Sequence, residues 1–446
     1  MYHAPVTHAT PVTFASDLPP RADVVIIGGG VIGVCTAIYL AERGLRPVLI
    51  EKGRIAGEQS SRNWGWIRQQ GRDAAELPIM VEAIGRWKEL AAQTNVDFGL
   101  RQGGVTYMAR TAKELAAFER FLPHAQAQGV DTRMLSGAET AAMFPRMAQP
   151  AVGAMTTPSD MRAEPWAAVP ALAGIATRAG AQVIEGCAAR GLDIAAGRVA
   201  GIWTEHGLIK TSNVVLAGGA WSSLFLRRHG VRLPQLAVRE SVLATQPMPA
   251  VTEGAASLNG VAFRRRADGG YTLAPSGIAE LFIGPDAFRA LTKFIPQLLS
   301  NPLGQTYLPA APRGFPDAWG TPRHWRLDEK SPFERMRVLD PAPNARQLRK
   351  LVAGFQALFP KLPEVQITAR WAGMIDTMPD IVPVVDQCAD LPGLTIGTGM
   401  SGHGFGIGPG MGRVLAALVT GAEAGHDLAR FRLSRFSDGS ALRPGP

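Results

Sequence analysis

The chain has 446 residues, of which 46% are hydrophobic and 19% charged, as in an ordinary soluble globular protein with room for about two to three domains. Its three cysteines, Cys35, Cys187 and Cys388, form no CxxC or Cys/His pair, which argues against a metal site or a disulfide framework and fits a reducing cytoplasm. The net charge of +9 and the pI near 9.8 raise the possibility of a nucleic-acid partner. The basic residues are dispersed, however, with residues 264–266 as the only tight cluster, so we expect a solvated basic surface and no nucleic acid.

Residues 1–21 contain four prolines, no lysine and no sustained apolar segment. A signal peptide needs a basic start and an apolar middle, so we expect a loose N-terminal leader instead. No run of about 18 apolar residues occurs, and no membrane span is expected. Together with the cysteine usage, these features favour a cytoplasmic location.

Residues 23–53 are the stretch around which the rest of the chain is organised. They contain a short apolar run, the turn GGGVIG at residues 28–33, a run of helix-forming residues, and a second apolar run that ends on Glu51. A short apolar run before a glycine turn reads as a strand, and the longer run after it as a helix. The pattern therefore predicts a β-α-β unit.

Each glycine of the GxGxxG turn has a separate expected task. Gly28 makes the tight turn, Gly30 lets the backbone approach a pyrophosphate, and Gly33 lets the helix pack closely on the strand. The pyrophosphate would lie at the positive end of the helix dipole. Glu51 follows Gly28 by 51 − 28 = 23 residues, near the spacing at which an acid accepts ribose hydroxyls. The unit leaves open whether the dinucleotide is NAD or FAD.

The remaining chain alternates helical and strand-like patterns. We predict helices at residues 74–94, 111–128, 136–143, 163–178 and 347–359. We predict strands at residues 105–109, 182–185, 197–204, 207–210, 213–221, 238–245, 260–265, 271–274, 279–284 and 394–396. With the proline-rich residues 285–337, the later strands indicate a second, largely β domain, and residues 365–373 start the return to the first domain.

Two segments have the composition of loops but unusual side chains. Residues 54–72 are rich in Gly, Ser and Asn, yet they carry Trp64, Trp66 and several arginines. Residues 397–412 have glycine at nearly every second position, alternating with Met, Phe and Ile. A backbone pressed against a flat ligand explains that alternation, and a helix starting at Met411 would direct its positive end at the ligand.

Taken in order, the segments GGGVIG, EKG, SSRNWGW, AGGAWS, WAGMIDTMPDIVPVV and SGHGFGIGPGMG resemble the D-amino acid oxidase family of FAD enzymes, which includes glycine oxidase, monomeric sarcosine oxidase and the amino acid dehydrogenases. The resemblance implies FAD rather than NAD. It also implies an α/β fold, with a Rossmann-like FAD-binding domain and a second, mainly antiparallel β substrate domain. The expected FAD-binding domain comprises residues 22–101, 156–237 and 362–446, and the substrate domain comprises residues 102–155 and 238–361.

The resemblance implies a set of FAD contacts along the whole chain. Gly28, Gly30 and Gly33 carry the motif. The other implied contacts are Val31, Ile32 and Gly218 at the diphosphate; Glu51, Lys52 and Ala189 at the adenosine; Gln59, Ser60, Ser61 and Arg62 in the diphosphate loop; Trp64, Gly65 and Trp66 beside the isoalloxazine; and Met400, Ser401, Gly402, His403, Gly404, Phe405 and Gly406 around its far edge.

Departures from the family pattern carry expectations of their own. Sarcosine oxidase places a flavin-attaching cysteine where Gly373 stands, and relatives with a histidyl flavin carry histidine near Trp64, so we expect a non-covalent, dissociable FAD. A lysine that assists oxygen reduction aligns with Phe282, and a substrate-carboxylate lysine aligns with Gly406. We therefore expect oxygen or a quinone as electron acceptor, with slow turnover on oxygen.

Three residues are the candidates for catalysis, each with a plainer alternative. Arg68, with Arg72 behind it, would clamp a substrate carboxylate, or it is a surface cation. His403 is a hydrogen-bonding wall residue or a proton-transfer base. Tyr271 lines the substrate cavity, as its counterpart does in sarcosine oxidase, or it only packs.

The predicted function is an FAD-dependent oxidoreductase that oxidises the C–N bond of an amino acid or secondary amine to an imine. Hydride would pass to flavin N5, the amine would bind unprotonated, no dedicated base would be needed, and Trp64 and Trp66 would roof the cavity. No metal is expected. Two alternatives stay open: a flavoprotein acting on modified tRNA, and a non-catalytic FAD subunit of a larger dehydrogenase.

Overall fold

A computed structural model describes residues 5–277, 279–300 and 304–445. Its strands are β1 Val24–Ile27, β2 Pro47–Glu51, β3 Trp66–Ile67, β4 Arg101–Gln102, β5 Val105–Ala109, β6 Arg133–Ser136, β7 Gly153–Thr157, β8 Met161–Arg162, β9 Gln182–Glu185, β10 Ala189–Ala195, β11 Arg198–Thr204, β12 Gly207–Lys210, β13 Val214–Leu216, β14 Leu236–Thr245, β15 Ala255–Leu258, β16 Val261–Arg265, β17 Tyr271–Pro275, β18 Ala279–Phe282, β19 Gln305–Leu308, β20 Ile367–Thr377, β21 Val384–Gln387 and β22 Leu394–Thr398. Its α-helices are α1 Val31–Glu42, α2 Gln59–Arg62, α3 Glu76–Ala92, α4 Ala112–Glu119, α5 Leu122–Ala127, α6 Gly137–Met143, α7 Pro165–Arg178, α8 Ser222–Arg228, α9 Pro285–Ser300, α10 Pro332–Arg335, α11 Ala345–Leu358 and α12 Gly404–Thr420.

A six-stranded sheet in the order β21-β22-β13-β1-β2-β9 forms the centre of the first domain. All its pairs are parallel except β21 with β22. Val24 and Ile26 belong to the core under α1, whereas Val25 belongs to the core that contains Ile202 of β11. Both faces of β1 are therefore covered, as a parallel sheet requires. This arrangement confirms the predicted Rossmann-like domain.

A ten-stranded, mainly antiparallel sheet forms the second domain. Its order is β19-β18-β14-β17-β16-β15-β5-β7-β6, with β20 also paired to β14. Helix α11 packs on β17 and β14, and the aromatic rings of Phe263, Tyr271 and Phe355 fill the space between them. The predicted second domain of mainly antiparallel strands is confirmed.

Two strands cross the expected domain boundaries. Strand β20 pairs along almost its whole length with β14, from Leu236 opposite Thr377 to Thr245 opposite Ile367. Residues 367–377 thus pair with the ten-stranded sheet, although they follow the boundary expected at residue 362. Strand β7 likewise runs past the boundary expected at residue 156.

Residues 5–21, which were expected to belong to a loose leader, form hydrogen bonds with the rest of the chain. Residues 1–4 lie outside the described residues. Val6 is buried, and its N–H donates to Ser61 Oγ at 3.2 Å. The N–H groups of Thr13 and Phe14 donate to the Glu185 carboxylate at 2.6 and 3.0 Å. Because these bonds join it to the diphosphate loop and to β9, the segment is part of the first domain.

Two helical regions differ from the prediction. Helix α9 occupies residues that were expected to be irregular because of their prolines. Pro285 does not prevent this helix, because it stands at the first helical position, where proline is tolerated. The region 111–128 forms two helices, α4 and α5, rather than one. No helix among residues 5–277, 279–300 and 304–445 is long and apolar enough to cross a membrane.

Helix α12 starts at Gly404, seven residues before the predicted start, because several of its glycines are packing positions. A Cβ on Gly408 would lie 2.5 Å from Val31 Cγ2, and one on Gly412 would lie 2.5 Å from Cys35 Cβ. Both neighbours are on α1. The later part of the glycine stretch thus lets two helices approach closely, and only its first part faces a ligand site.

Candidate functional site

One continuous cavity of about 450 Å³ extends from the carboxyl ends of β1 and β2 to the inner face of β14. Most of the residues implied as FAD contacts line it: Gly28, Gly30, Val31, Ile32, Glu51, Lys52, Gln59, Ser60, Arg62, Trp64, Trp66, Ala189, Gly218, Met400, Ser401, Gly402, His403, Gly404, Phe405 and Gly406. Arg68 and Arg72 line it as well. Gly33, Ser61, Gly65 and Tyr271 do not.

The turn after β1 has the geometry expected of a diphosphate site. Gly28 has φ +112°, and a Cβ there would lie 2.4 Å from the Ala217 carbonyl oxygen. A Cβ on Gly33 would lie 2.0 Å from the Gly28 carbonyl oxygen, so Gly33 serves helix-strand packing, as predicted. The N-cap residue of α1, Gly30, has no side chain, and the positive end of the helix lies at the cavity wall. There the Val31 N–H donates to Ser60 Oγ at 2.9 Å.

Glu51 closes the opposite wall of this end of the cavity. Its Oε2 accepts from the Gly29 N–H and its Oε1 from the Gly53 N–H, both at 2.7 Å. Burial raises the pKa of Glu51 to about 7. Lys52 Nζ is held by Glu58 and by the Met336 carbonyl oxygen at 2.8 Å. The lysine therefore braces the wall, while each oxygen of Glu51 keeps a lone pair for a ribose hydroxyl.

We expect Glu51→Ala to weaken FAD binding by about 1–3 kcal/mol, since it removes an acceptor from a desolvated site. Equilibrium dialysis of the apoprotein against FAD measures the change. Glu51→Gln, which keeps the size and one acceptor oxygen, is the matched control and should lose less. Equal FAD affinity in the parent and the alanine variant would show that Glu51 is not the ribose ligand.

The other end of the cavity is suited to a flat ring system. Trp64 and Trp66 meet edge to face, with ring centroids 5.4 Å apart, and both line the cavity. A Cβ on Gly373 would contact only the Arg62 side chain, at 3.3 Å for the nearest atom. His403 is the N-cap residue of α12, so the positive end of that helix lies at this wall. The helix was expected to start at Met411 and to place its positive end there.

We therefore expect this end to accommodate the isoalloxazine of FAD. Gly373 and Trp64 stand where the resembling enzymes carry the cysteine or histidine that attaches the flavin covalently. We therefore expect acid precipitation to release all of the FAD into the supernatant. Absorbance of the supernatant and pellet at flavin wavelengths measures the partition. Flavin fluorescence that remains with the washed, denatured polypeptide would contradict this expectation.

Two residues expected at the reaction centre lie elsewhere. Tyr271 is fully buried against α11, its hydroxyl accepts from the Val251 N–H at 2.7 Å, and its ring packs on Phe355. Phe282 is buried against Phe315 in the first domain's second core and is not part of the cavity wall. Tyr271 therefore has the packing role, and Phe282 gives no basis for a preference against oxygen.

Ser61 and Gly65 support the flavin loop from outside the cavity. Ser61 is buried and accepts from Val6, as described above. Gly65 has φ +77°, and a Cβ there would lie 2.4 Å from the Ala163 carbonyl oxygen and 2.8 Å from the Arg264 guanidinium carbon. Their role is to shape the loop that presents Trp64 and Trp66.

Arg68 lies at the cavity wall beside His403. Its Nη1 donates to the carbonyl oxygens of Gln70 and Gly71, and its Nη2 lies 3.4 Å from His403 Nε2. His403 Nδ1 lies 3.2 Å from Glu76 Oε2. Burial and the nearby Arg72 lower the pKa of His403 to about 4. The neutral tautomer that satisfies both contacts donates from Nδ1 to Glu76 and accepts at Nε2 from Arg68.

The guanidinium of Arg72 is bound by other groups of the protein. It pairs with Glu76 Oε2 at 3.4 Å, and it donates to the carbonyl oxygens of Arg68 at 3.0 Å and His403 at 3.3 Å. Its burial lowers its own pKa to about 10. All three guanidinium nitrogens of Arg72 thus have protein partners, one of them a carboxylate, whereas Arg68 forms no ion pair with a described residue.

Sequence reasoning missed three acidic residues around this site. Glu76 orients His403, and the buried Asp160 accepts from the backbone N–H groups of Gln69 and Gln70 at 2.7 and 3.4 Å, fixing the loop that carries Arg68. Glu240 lines the cavity directly. Only Glu240 had a sequence signal, since it is a lone carboxylate between two valines on one face of a predicted strand.

A model of the family described as "DAO: FAD dependent oxidoreductase" matches residues 23–418. The chain belongs to this family of FAD-dependent oxidoreductases, and FAD rather than NAD is its cofactor. Among the described residues, no group of three or more His, Cys, Asp and Glu side chains is arranged to hold a metal ion.

Individual relatives cover the chain to different extents. The chain is 32% identical over 257 residues to the human mitochondrial sarcosine dehydrogenase, but spans only 28% of the length of that protein. It is 27% identical to the glycine oxidase of Geobacillus kaustophilus, covering 93% of this chain and 97% of that protein. The L-amino acid deaminase of Proteus myxofaciens, solved in complex with anthranilate, superposes with a TM-score of 0.91, 32% identity and 98% coverage of both chains.

Proposed function

We propose that this protein is an FAD-dependent L-amino acid deaminase, which oxidises the C–N bond of an α-amino acid to an imine that water hydrolyses to a 2-oxo acid and ammonia. The likeness to the Proteus deaminase over the whole chain supports the choice of a primary L-amino acid. When bound, FAD supplies the electron sink that accepts the hydride from the α-carbon. The chain's own residues bind and orient the substrate.

The observation that carries this proposal is the unpaired guanidinium of Arg68 in the cavity wall. Two of its five N–H donors meet backbone carbonyls and a third faces His403, which leaves two for a ligand. No carboxylate among the described residues forms an ion pair with it. An enclosed, oriented guanidinium without a counter-ion is suited to a substrate carboxylate, which it would bind in a bidentate way.

The surrounding residues define what else the substrate can be. Trp64, Trp66 and Val242 give this end of the cavity apolar walls, which would receive the amino acid side chain and exclude water from the imine. Neutral His403 has both ring nitrogens engaged, so it positions Arg68 and does not act as a base. The substrate would thus be held by its carboxylate while its α-carbon faces the flavin ring.

A product assay tests the proposal. The holoprotein is incubated with L-amino acids, their D-enantiomers and N-methyl amino acids in the presence of an artificial electron acceptor. We expect equimolar 2-oxo acid and ammonia from L-amino acids, and the D-enantiomers provide the matched control. Formaldehyde from N-methyl amino acids, without 2-oxo acid from any primary amino acid, would instead assign demethylation of a secondary amine.

A further inference from the structure

Glu240 is an acidic residue of the cavity that the proposed reaction has not yet used. It lies on β14 opposite Gly373 of β20, and Val238 and Val242 flank it on the same face of the strand. All three side chains line the cavity at the end that accommodates the isoalloxazine. The half-buried side chain of Glu240 therefore faces the cavity.

Glu240 differs from the other acidic residues of the cavity wall in having no partner. Glu51 accepts from two backbone N–H groups, Glu58 accepts from Lys52 and Trp221, and Asp376 accepts from the Gly399 N–H at 2.7 Å. Among the described residues, no donor and no cation pairs with Glu240. An enclosed carboxylate without compensation is costly, so its place in the wall points to a cation supplied by a ligand.

The cavity wall thus contains two side chains of opposite charge that form no ion pair with a described residue. Arg68 has no carboxylate partner, Glu240 has no cationic partner, and no ion pair joins the two. An α-amino acid near neutral pH carries the complementary pair, a carboxylate and an ammonium group. A wall that carries both groups offers a partner to each end of a zwitterion, whereas a simple carboxylate or a simple amine would engage only one of them.

We propose that Glu240 binds the ammonium group of the substrate and accepts one proton from it, while Arg68 holds the carboxylate. The inference rests on the proposed function, because it concerns the same amino acid. In this step one N–H bond of the ammonium breaks and one O–H bond forms on Glu240. The products are a neutral amine, the form able to give up hydride, and a neutral carboxylic acid, which returns its proton to solvent through the cavity.

No charged group near β14 shifts the pKa of Glu240, which is changed by burial alone. The titratable and charged groups on the elements packed against this strand are Tyr271 on β17, Glu280 on β18, Arg370 and Asp376 on β20, Asp286, Arg289 and Lys293 on α9, and Arg346, Arg349 and Lys350 on α11. None of them shifts the pKa of Glu240, which burial alone raises to about 7. Glu240 is therefore neutral below about pH 6 and ionised above about pH 8, so binding of the zwitterion should strengthen as the pH rises through this range.

The test uses two matched pairs of probes on the FAD-loaded protein: L-phenylalanine with 3-phenylpropanoate, and L-alanine with propanoate. Each acid is its amino acid without the amino group. Dissociation constants of the acids come from the flavin absorbance change at equilibrium, and those of the amino acids from the saturation of anaerobic flavin reduction. Both are measured from pH 6 to 8.5 for the parent, Glu240→Gln, Glu240→Asp and the surface control Glu89→Gln.

We expect Glu240→Gln to weaken amino acid binding about 10- to 100-fold at pH 8, as for the loss of a charged hydrogen-bond partner, and to abolish its rise with pH. Binding of the two acids should be unchanged or tighter. Glu240→Asp should restore part of the pH dependence, and Glu89→Gln should match the parent.

If Glu240→Gln weakens the binding of the acids and the amino acids equally, Glu240 has only a structural role. An unchanged pH profile in that variant would also overturn the inference while leaving the proposed function intact. If neither amino acid reduces the parent flavin, the proposed function itself has failed, and the role of Glu240 falls with it.

Discussion

Replacement of Arg68 by alanine is expected to lower kcat/KM for L-amino acids about 10²- to 10³-fold, or about 3–4 kcal/mol of transition-state stabilisation. The reason is the loss of a guanidinium that lines the cavity beside His403 and pairs with no described carboxylate, which would leave the substrate carboxylate desolvated without a partner. Steady-state kinetics with an artificial acceptor gives this ratio. FAD content should not change, because Arg68 lies beyond the diphosphate and adenosine contacts.

Two further variants separate charge from geometry at this position. Arg68→Lys keeps the charge but not the planar fork of donors, so it should recover only part of kcat/KM. His403→Asn removes the contact at Nη2 while keeping a polar side chain, and it should raise KM more than it lowers kcat. If Arg68→Ala retains the parental KM for amino acids, Arg68 does not bind the carboxylate.

Replacement of Arg264 by methionine is expected to lower the free energy of unfolding by about 3–5 kcal/mol, the usual result of breaking a buried ion pair. Arg264, on β16, is fully buried, and its two Nη atoms donate to the Glu164 carboxylate, each at 2.9 Å. Its Nε also donates to the Trp64 carbonyl oxygen at 2.5 Å. The variant leaves Glu164 buried without a cation and removes a tie between the second domain and the flavin loop.

Denaturant unfolding of the holoprotein measures this loss, and FAD retention on gel filtration reports on the flavin loop. The control is Arg101→Met, which breaks the exposed pair of Arg101 with Asp97 and should cost less than about 1 kcal/mol. The double variant Arg264→Met/Glu164→Gln should recover part of the stability. Equal unfolding midpoints for Arg264→Met and Arg101→Met would mean that the buried pair does not hold the two domains together.

The same arginine shows why a charge cluster in a sequence is an ambiguous signal. Residues 264–266 form the tightest basic cluster of the chain, yet Arg264 pairs with Glu164, Arg265 donates to the Met248 carbonyl oxygen at 2.7 Å, and Arg266 pairs with Asp268 at 2.9 Å. The partners of Arg264 and Arg265 are far away in the sequence, whereas Asp268 follows Arg266 by two residues. All three arginines of the cluster therefore bind to other groups of the same chain.

Local patterns predicted the nucleotide-binding unit because its constraints lie within residues 23–53. The positive φ of Gly28, the contact of Gly33 with the Gly28 carbonyl oxygen and the hydrogen bond from the Gly29 N–H to Glu51 all lie within this unit. The order of the strands and the ten-stranded second sheet were not predicted, because strand pairing joins residues that are far apart in the sequence.

The residues that decide the reaction were harder to predict, because alternation along a strand defines two faces without saying which one meets the cavity. Tyr271 on β17 faces α11, whereas Glu240 on β14 faces the flavin end. The glycines of α12 present a similar ambiguity, since close approach to a ligand and close approach to α1 require the same missing Cβ. Only the packing of distant elements resolves such cases.

Anaerobic mixing of the holoprotein with single amino acids tests the central claim most directly, since it detects transfer of electrons from substrate to flavin without any assumption about the electron acceptor. We predict that L-amino acids bleach the flavin absorbance near 450 nm in a saturable reaction, with one 2-oxo acid formed per flavin, and that D-enantiomers do not. A flavin that stays oxidised with every amino acid and N-methyl amino acid, yet is bleached by dithionite, would contradict the assignment of this cavity to amino acid oxidation.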